Sequence, residues 1–410
     1  MFPHIPTELY EAIIDQADLS TLKNCALVCR ALRPRCQKIL FSRITLDSPP
    51  DSRYPKSELF CDIISRYPHL SLYVEALEIT ELDQLPWIAA DNFLGQILPE
   101  LLHLKELAIV GRVSQWGRLN FEALADNFIA AILSTCRSPQ LTTLKFTNTR
   151  SIPLHMLRQA SALKSLTLRY CSLGYGSNGV VDDTVTPILR SLFLVQWRSA
   201  GEWIYFVQWI KHGNLDITQL ATLELDITAL NQPLLPQIEQ GLAELKWFIK
   251  QCSSTVESFE LFCPVSAVMW ASYDLLDLAT MPRLRTLVLY GPVWGRETPD
   301  NTALQWHIDT LRKIPSRHHF DSISLLYNIE DDISIESSGF ANDTNWSGLI
   351  AVMQSLHERT LALNLTFHVN NSRGPYVHDL LQERLAALGQ LGILSIEQTM
   401  ITTDLVLFGA

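Results

Sequence analysis

One short pattern recurs from residue 74 onward: an apolar residue, two variable ones, Leu, one variable residue and a second apolar one. It reads VEALEI at 74–79, LKELAI at 104–109, LTTLKF at 141–146, LKSLTL at 163–168 and LRSLFL at 189–194. It returns as LATLEL at 220–225, VESFEL at 256–261, LRTLVL at 284–289 and FDSISL at 320–325, with weaker copies TLALNL at 360–365 and LGILSI at 391–396. Leu77 and Leu394, the fourth residues of the first and last copies, stand ten intervals and 317 residues apart, about 32 per unit. In an extended chain the fourth and sixth residues of each copy point the same way, so each copy predicts a short strand with one face in a core.

Helical periodicity fills the intervals: FEALADNFIAAILSTC (121–136), QIEQGLAELKWFIKQC (237–252), NTALQWHIDTLRKI (301–314) and YVHDLLQERLAAL (376–388). One strand and one helix cannot bury their own apolar faces, whereas stacked copies can, so the pattern predicts an α/β solenoid with a parallel concave sheet and helices on the convex side. The skeleton resembles the degenerate leucine-rich repeat in its longer strand-and-helix form, over roughly 74–397. The Asn or Cys that closes that motif is mostly absent here; Asn148 and Cys171 come closest.

Composition narrows the function classes. At 410 residues, 47% hydrophobic and 18% charged, the chain is globular and large enough for two domains or a repeat array. Its net charge of −11 argues against a nucleic-acid partner, whose binding would need phosphate-neutralising cations. No apolar run reaches membrane-spanning length, and MFPHIPTELY has no signal-peptide pattern, so no membrane partner and a place in the cytoplasm or nucleus are expected. Motifs for chemistry fail on inspection. GYGSNG at 174–179 matches the dinucleotide-binding glycine pattern, but VVDDTVTP follows it instead of a helix start, and Val180 stands where a P-loop needs Lys. His318 and His319 are adjacent, which suits no helical metal pair. The acidic run 329–345 reads as a solvated insertion, and Trp203, Trp209 and Trp247 as packing residues on helical stripes. No catalytic residue, metal or cofactor is expected.

Residues 1–46 differ in character: six Lys or Arg against four Asp or Glu. Thr7 introduces a first helix with Leu9, Ile13 and Ala17 on one face, Asp18 or Ser20 can cap a second, and Pro34 can begin a third. Cys25, Cys29 and Cys36 lie in this stretch; Cys25 and Cys29 share an apolar helix face with Leu22 and Leu32 and read as small hydrophobes, not as metal ligands. So short a segment carries more apolar residues than it can bury alone.

At these residues the chain resembles the F-box. Ile5-Pro6 and Glu8-Leu9 match the family's opening, Ile13-Ile14 its first-helix apolar pair, and Leu22, Cys25, Val28, Cys29 and Arg30 its second-helix signature. Phe41 stands for its closing aromatic, while Ala31-Leu32 replaces a residue that is Trp in many members. The resemblance implies an F-box at 1–46, a linker at 47–57 and a repeat solenoid at 58–410. It also implies a substrate receptor of an SCF-type ubiquitin ligase, docking a Skp-type adaptor and through it a cullin, and binding a protein substrate through the repeats. The surplus apolar residues Ile5, Pro6, Leu9, Ile13, Leu22, Val28 and Leu32 would then face the adaptor. The strand residues beside the inward-facing pair face the concave side: mixed charges early (Glu78, Glu106, Lys145, Arg169), then Phe193, Val195, Trp197, Glu224, Asp226, Glu260, Phe262 and Tyr290, and the patch from Phe193 to Tyr290 is expected to hold a basic, partly apolar substrate segment. The alternative is a leucine-rich-repeat scaffold that binds protein with no ligase role.

Overall fold

The computed structural model describes residues 7–47, 56–81, 87–112, 118–174, 185–195, 199–227, 235–262, 276–294, 301–316, 318–329, 345–369 and 374–398. The chain is mixed α/β and divides into two compact units, Met1–Leu189 with Gly213–Asp216, and Arg190–His212 with Ile217–Ala410.

The first unit opens with three helices, α1 (Thr7–Asp15), α2 (Leu19–Val28) and α3 (Arg33–Ser42). Asp18 is the cap of α2: its carboxylate accepts from the Thr21 N–H at 2.9 Å and from Thr21 Oγ1 at 2.8 Å. Pro34 sits in the first turn of α3, where no backbone donor is required. Cys29 lies just past the end of α2 in extended backbone, its N–H bonded to Cys25 O at 3.1 Å, so it closes the helix and does not continue its stripe. Strand and helix then alternate as β1 (Arg43–Asp47), α4 (Lys56–Arg66), β2 (Ala76–Thr80), α5 (Leu94–Glu100), β3 (Glu106–Val110), α6 (Asp126–Cys136), β4 (Thr143–Thr147), α7 (Leu154–Gln159) and β5 (Ser165–Arg169).

Every pairing in this sheet is parallel, and the register aligns Ile44, Leu77, Leu107, Leu144 and Leu166 in one row. The next inward row is Leu46, Ile79, Ile109, Phe146 and Leu168, all buried. Each such side chain withdrawn from water contributes on the order of 1.5–3 kcal/mol. Slipping one strand by a residue would turn its apolar pair out, so the pattern itself sets the register. Asn148 and Cys171, the two residues closest to the closing position of the repeat, are buried at strand ends. Asn148 takes a left-handed φ of 52°, and Cys171 Sγ reaches Phe146 O on the preceding strand at 3.3 Å.

The sheet begins earlier than the repeat pattern predicts. β1 falls inside the segment read as the helical module, and Asp47, read as linker, is its last residue. Ser57, also read as linker, is buried in α4 and bonded to Asp91; residues 48–55 lie outside the described residues.

The second unit runs β6 (Ser191–Val195), α8 (Ala200–Trp209), β7 (Thr222–Asp226), α9 (Leu235–Cys252), β8 (Ser258–Phe262), β9 (Thr286–Trp294), α10 (Asn301–Arg312), β10 (Phe320–Ile329), α11 (Trp346–His357), β11 (Thr360–Val369), α12 (Gly374–Arg384), α13 (Ala386–Gln390) and β12 (Leu394–Gln398). Its sheet is parallel too, with Leu192, Leu223, Phe259, Leu287, Ile323 and Leu363 in register. Ile238, Leu242, Leu245, Ile249 and Cys252 line the buried stripe of α9 at helical spacing. Trp203 docks on that helix, donating from Nε1 to Gly241 O at 3.1 Å, and Trp209 is buried as well. Trp247 differs from the packing expectation: it is half-buried, with the Lys211 ammonium 4.9 Å from its ring centre.

The core of this unit holds a polar pair. The hydroxyl of Tyr327 lies 2.6 Å from His307 Nδ1, both residues fully enclosed, and the Tyr327 ring stacks on Phe367 at 5.3 Å. Gly291 makes the arrangement possible, since a Cβ there would stand 2.1 Å from the Tyr327 ring. Burial holds His307 down at about 3 and raises Tyr327, so both are neutral at physiological pH.

Candidate functional site

Two surfaces stand out, one in each unit. The first belongs to the three helices. Ile14, Leu22 and Cys36 form their small core, with Ala17, Cys25, Ala26, Leu32, Ile39 and Leu40 packed against it. The Arg35 guanidinium forks onto the Asp15 carboxylate and ties α3 to α1; Nε lies 2.7 Å from Oδ1. Hydrogen bonds from Arg35 hold Asp15 below the usual carboxylate range, and the capping bond from Thr21 does the same for Asp18. Leu22 was expected to face an adaptor, but it is buried in the module's own core, while Leu32 packs against that core and stays partly exposed. What remains outside is concentrated. Leu9, Tyr10 and Ile13 share a face of α1, and Leu27 and Val28, at the end of α2, are 77% and 82% exposed. Ile5 and Pro6 lie outside the described residues. Leu27 was not among the residues expected to face the adaptor, and it stands exposed beside Val28 in the last turn of α2.

The second surface is the face of the second unit's sheet opposite its buried apolar rows. Register puts Phe193 beside Glu224 and Glu224 beside Glu260. One step along the strands, Asp226 stands beside Phe262 and Phe262 beside Tyr290. The rings of Phe262 and Tyr290 are 5.3 Å apart, and the Tyr290 hydroxyl donates to Glu260 Oε1 at 2.9 Å. Phe193, Glu224, Glu260, Phe262 and Tyr290 are half-buried and Asp226 is buried. Thus the sequence-predicted residues on described strands share one face; Trp197 lies outside the described residues.

The corresponding face of the first unit is different. Glu106 is clamped by Lys145 Nζ at 2.7 Å and by Arg43 Nη2 at 3.0 Å, one cation from each side. Burial alone would raise its carboxyl, but hydrogen bonds from Lys145 and Arg43 outweigh it and hold Glu106 below its usual value. Arg43 was not among the sequence candidates because β1 went unrecognised, although FSRITL (41–46) carries the same spacing.

Elsewhere the chemistry is structural. Burial pushes the thiols of Cys136 and Cys252 up to about 12, which makes them inert. His318 stacks on Phe320, and its Nε2 lies 2.8 Å from Leu284 O. It borders a cavity of about 620 Å³ with His319, Arg283, Arg285, Glu257 and Asp321. Gly174 ends a two-residue strand, while 175–179 of the glycine motif and nearly all of the acidic run lie outside the described residues. Among the described residues, no three His, Cys, Asp or Glu are grouped to hold a metal, and no helix is long and apolar enough to cross a membrane. Compared with known families, the chain matches no family model and no curated protein.

Proposed function

We propose that this chain is an F-box substrate receptor of an SCF-type ubiquitin ligase. Its three-helix module docks a Skp-type adaptor, which joins it to a cullin, and its degenerate leucine-rich-repeat units hold a protein for ubiquitination. The observation that carries the reading is the apolar set Leu9, Ile13, Leu27 and Val28, left in water by a module whose core is already filled. Each such side chain forgoes about 1.5–3 kcal/mol of burial, an outlay that makes sense when a partner covers it. The match of Leu22, Cys25, Val28, Cys29 and Arg30 to the F-box signature names the class of partner. The receptor itself needs no catalytic group; the chemistry belongs to the enzymes that the cullin recruits.

Leu9→Asp with Ile13→Asp tests it. Both positions are already exposed, so the variant should keep its thermal stability. Set into a covered interface, two unpaired carboxylates should weaken binding to a purified Skp-type adaptor by more than about a hundredfold. Unchanged adaptor binding, or none by the wild type, favours the scaffold without a ligase role.

A further inference from the structure

The cavity beside His318 belongs to neither surface, and its lining lies wholly within the second unit. At about 620 Å³ it has the size of a small-molecule site. Three lining residues stand side by side where neighbouring strands begin. The Arg285 N–H donates to Glu257 O at 2.7 Å and the Asp321 N–H donates to Arg285 O at 2.8 Å, which sets Glu257, Arg285 and Asp321 at the starts of β8, β9 and β10. Two turns complete the lining, one with Pro282 and Arg283, the other with Pro315, His318 and His319. Hydrogen bonds fix them: Arg359 Nη1 donates to Pro315 O and His318 Nε2 to Leu284 O, each at 2.8 Å.

The charges in this lining are only partly satisfied by one another. Arg285 and Asp321 approach to 3.8 Å and offset each other. Glu257 and Arg283 are exposed, and neither side chain has a hydrogen-bond or ion-pair partner among the described residues. One acid and one base are left over, next to the apolar side chains of Ala279, Pro282 and Pro315. An anion alone would meet Glu257 and Asp321, and a cation alone would meet Arg283 and Arg285. A ligand carrying both charges finds a complement for each. We propose that this cavity binds a small zwitterion with an apolar body, an amino acid or dipeptide, its carboxylate on Arg283 and its ammonium on Glu257.

The test titrates the full-length chain by calorimetry with leucyl-leucine, whose termini supply the two charges and whose side chains supply the apolar body. Saturable binding at about 1 mM or tighter is expected. N-acetyl-leucyl-leucine lacks the ammonium and leucyl-leucine amide lacks the carboxylate, and each should bind about tenfold more weakly. Arg283→Gln should weaken leucyl-leucine about tenfold and leave the amide unchanged. Glu257→Gln should weaken it equally and leave the acetylated form unchanged. Both positions are exposed, so the variants should fold, and the pairing of each variant with one terminus separates contact from a general loss of structure. Arg66→Gln with Glu100→Gln, at exposed positions of the first unit, should change binding less than about twofold. No saturation by about 10 mM, equal affinity for capped and free forms, or equal loss in the first-unit variant overturns the proposal. None of these outcomes bears on adaptor docking, which the receptor reading assigns to α1 and α2.

Discussion

The two units repeat one strand-and-helix plan and carry different side chains on the sheet face opposite their buried rows. In the first, Glu106 on β3 is paired with Arg43 on β1 and with Lys145 on β4, two cations on one carboxylate. In the second, Glu224 and Glu260 stand side by side next to Phe262 and Tyr290. Inward rows are alike in both, since Leu and Phe there serve only the core. The lesson is that the repeat dictates alternate positions and leaves the others open to function.

The cores also differ, and acid should separate them most. His307 takes up a proton at its ordinary 6.5 when unfolded but resists down to about 3 when folded. The unfolded state then binds more protons between those values, so stability of the second unit is fully present above pH 6.5 and falls as pH drops, by up to about 1.4 kcal/mol per pH unit. Among the described residues of the first unit no histidine is enclosed in this way: His69, His103 and His155 are exposed or half-buried. Its depressed carboxyls, Asp15 and Asp18, stabilise above their unfolded value of 3.8 and lose that only as pH falls through their lower folded values. Protection factors of the amides in β10 and β11, with the intrinsic pH dependence of exchange divided out, should therefore fall between pH 7 and 5 while those in β3 and β4 hold steady; an equal fall in both would break the comparison.

Charge reversal gives a smaller effect with opposite signs. Lys145→Glu places a second carboxylate against Glu106 and should destabilise the first unit by about 1 kcal/mol. Glu224→Lys sets a cation beside Glu260 and should stabilise the second by a few tenths of a kcal/mol. Denaturant midpoints measure both, and a destabilising Glu224→Lys would mean that the acid row serves the fold.

Much of this was legible in the sequence. Leu-x-x-Leu-x-Leu locates eleven of the strands because their period of two is uninterrupted, and Asp18 and Pro34 mark helix starts by their own chemistry. β1 escaped because FSRITL closes a helical module whose resemblance had already claimed Phe41. Leu22 was misplaced for a different reason. Periodicity shows that a helix has an apolar face, but three short helices share their core residues in a way only their packing decides, and here Ile14, Leu22 and Cys36 meet. Buried His307 had no sequence signal, since Gly291, which makes room for its partner, lies sixteen positions away. The Arg43–Glu106–Lys145 clamp needed the register.

Hydrogen exchange of the full chain, with and without a purified Skp-type adaptor, tests the docking claim most directly. The account predicts slowed exchange confined to α1 and α2, covering Leu9–Ile13 and Leu27–Val28, with β6 to β9 unchanged. Protection on the sheet of the second unit instead, or none anywhere at saturating adaptor, would contradict it.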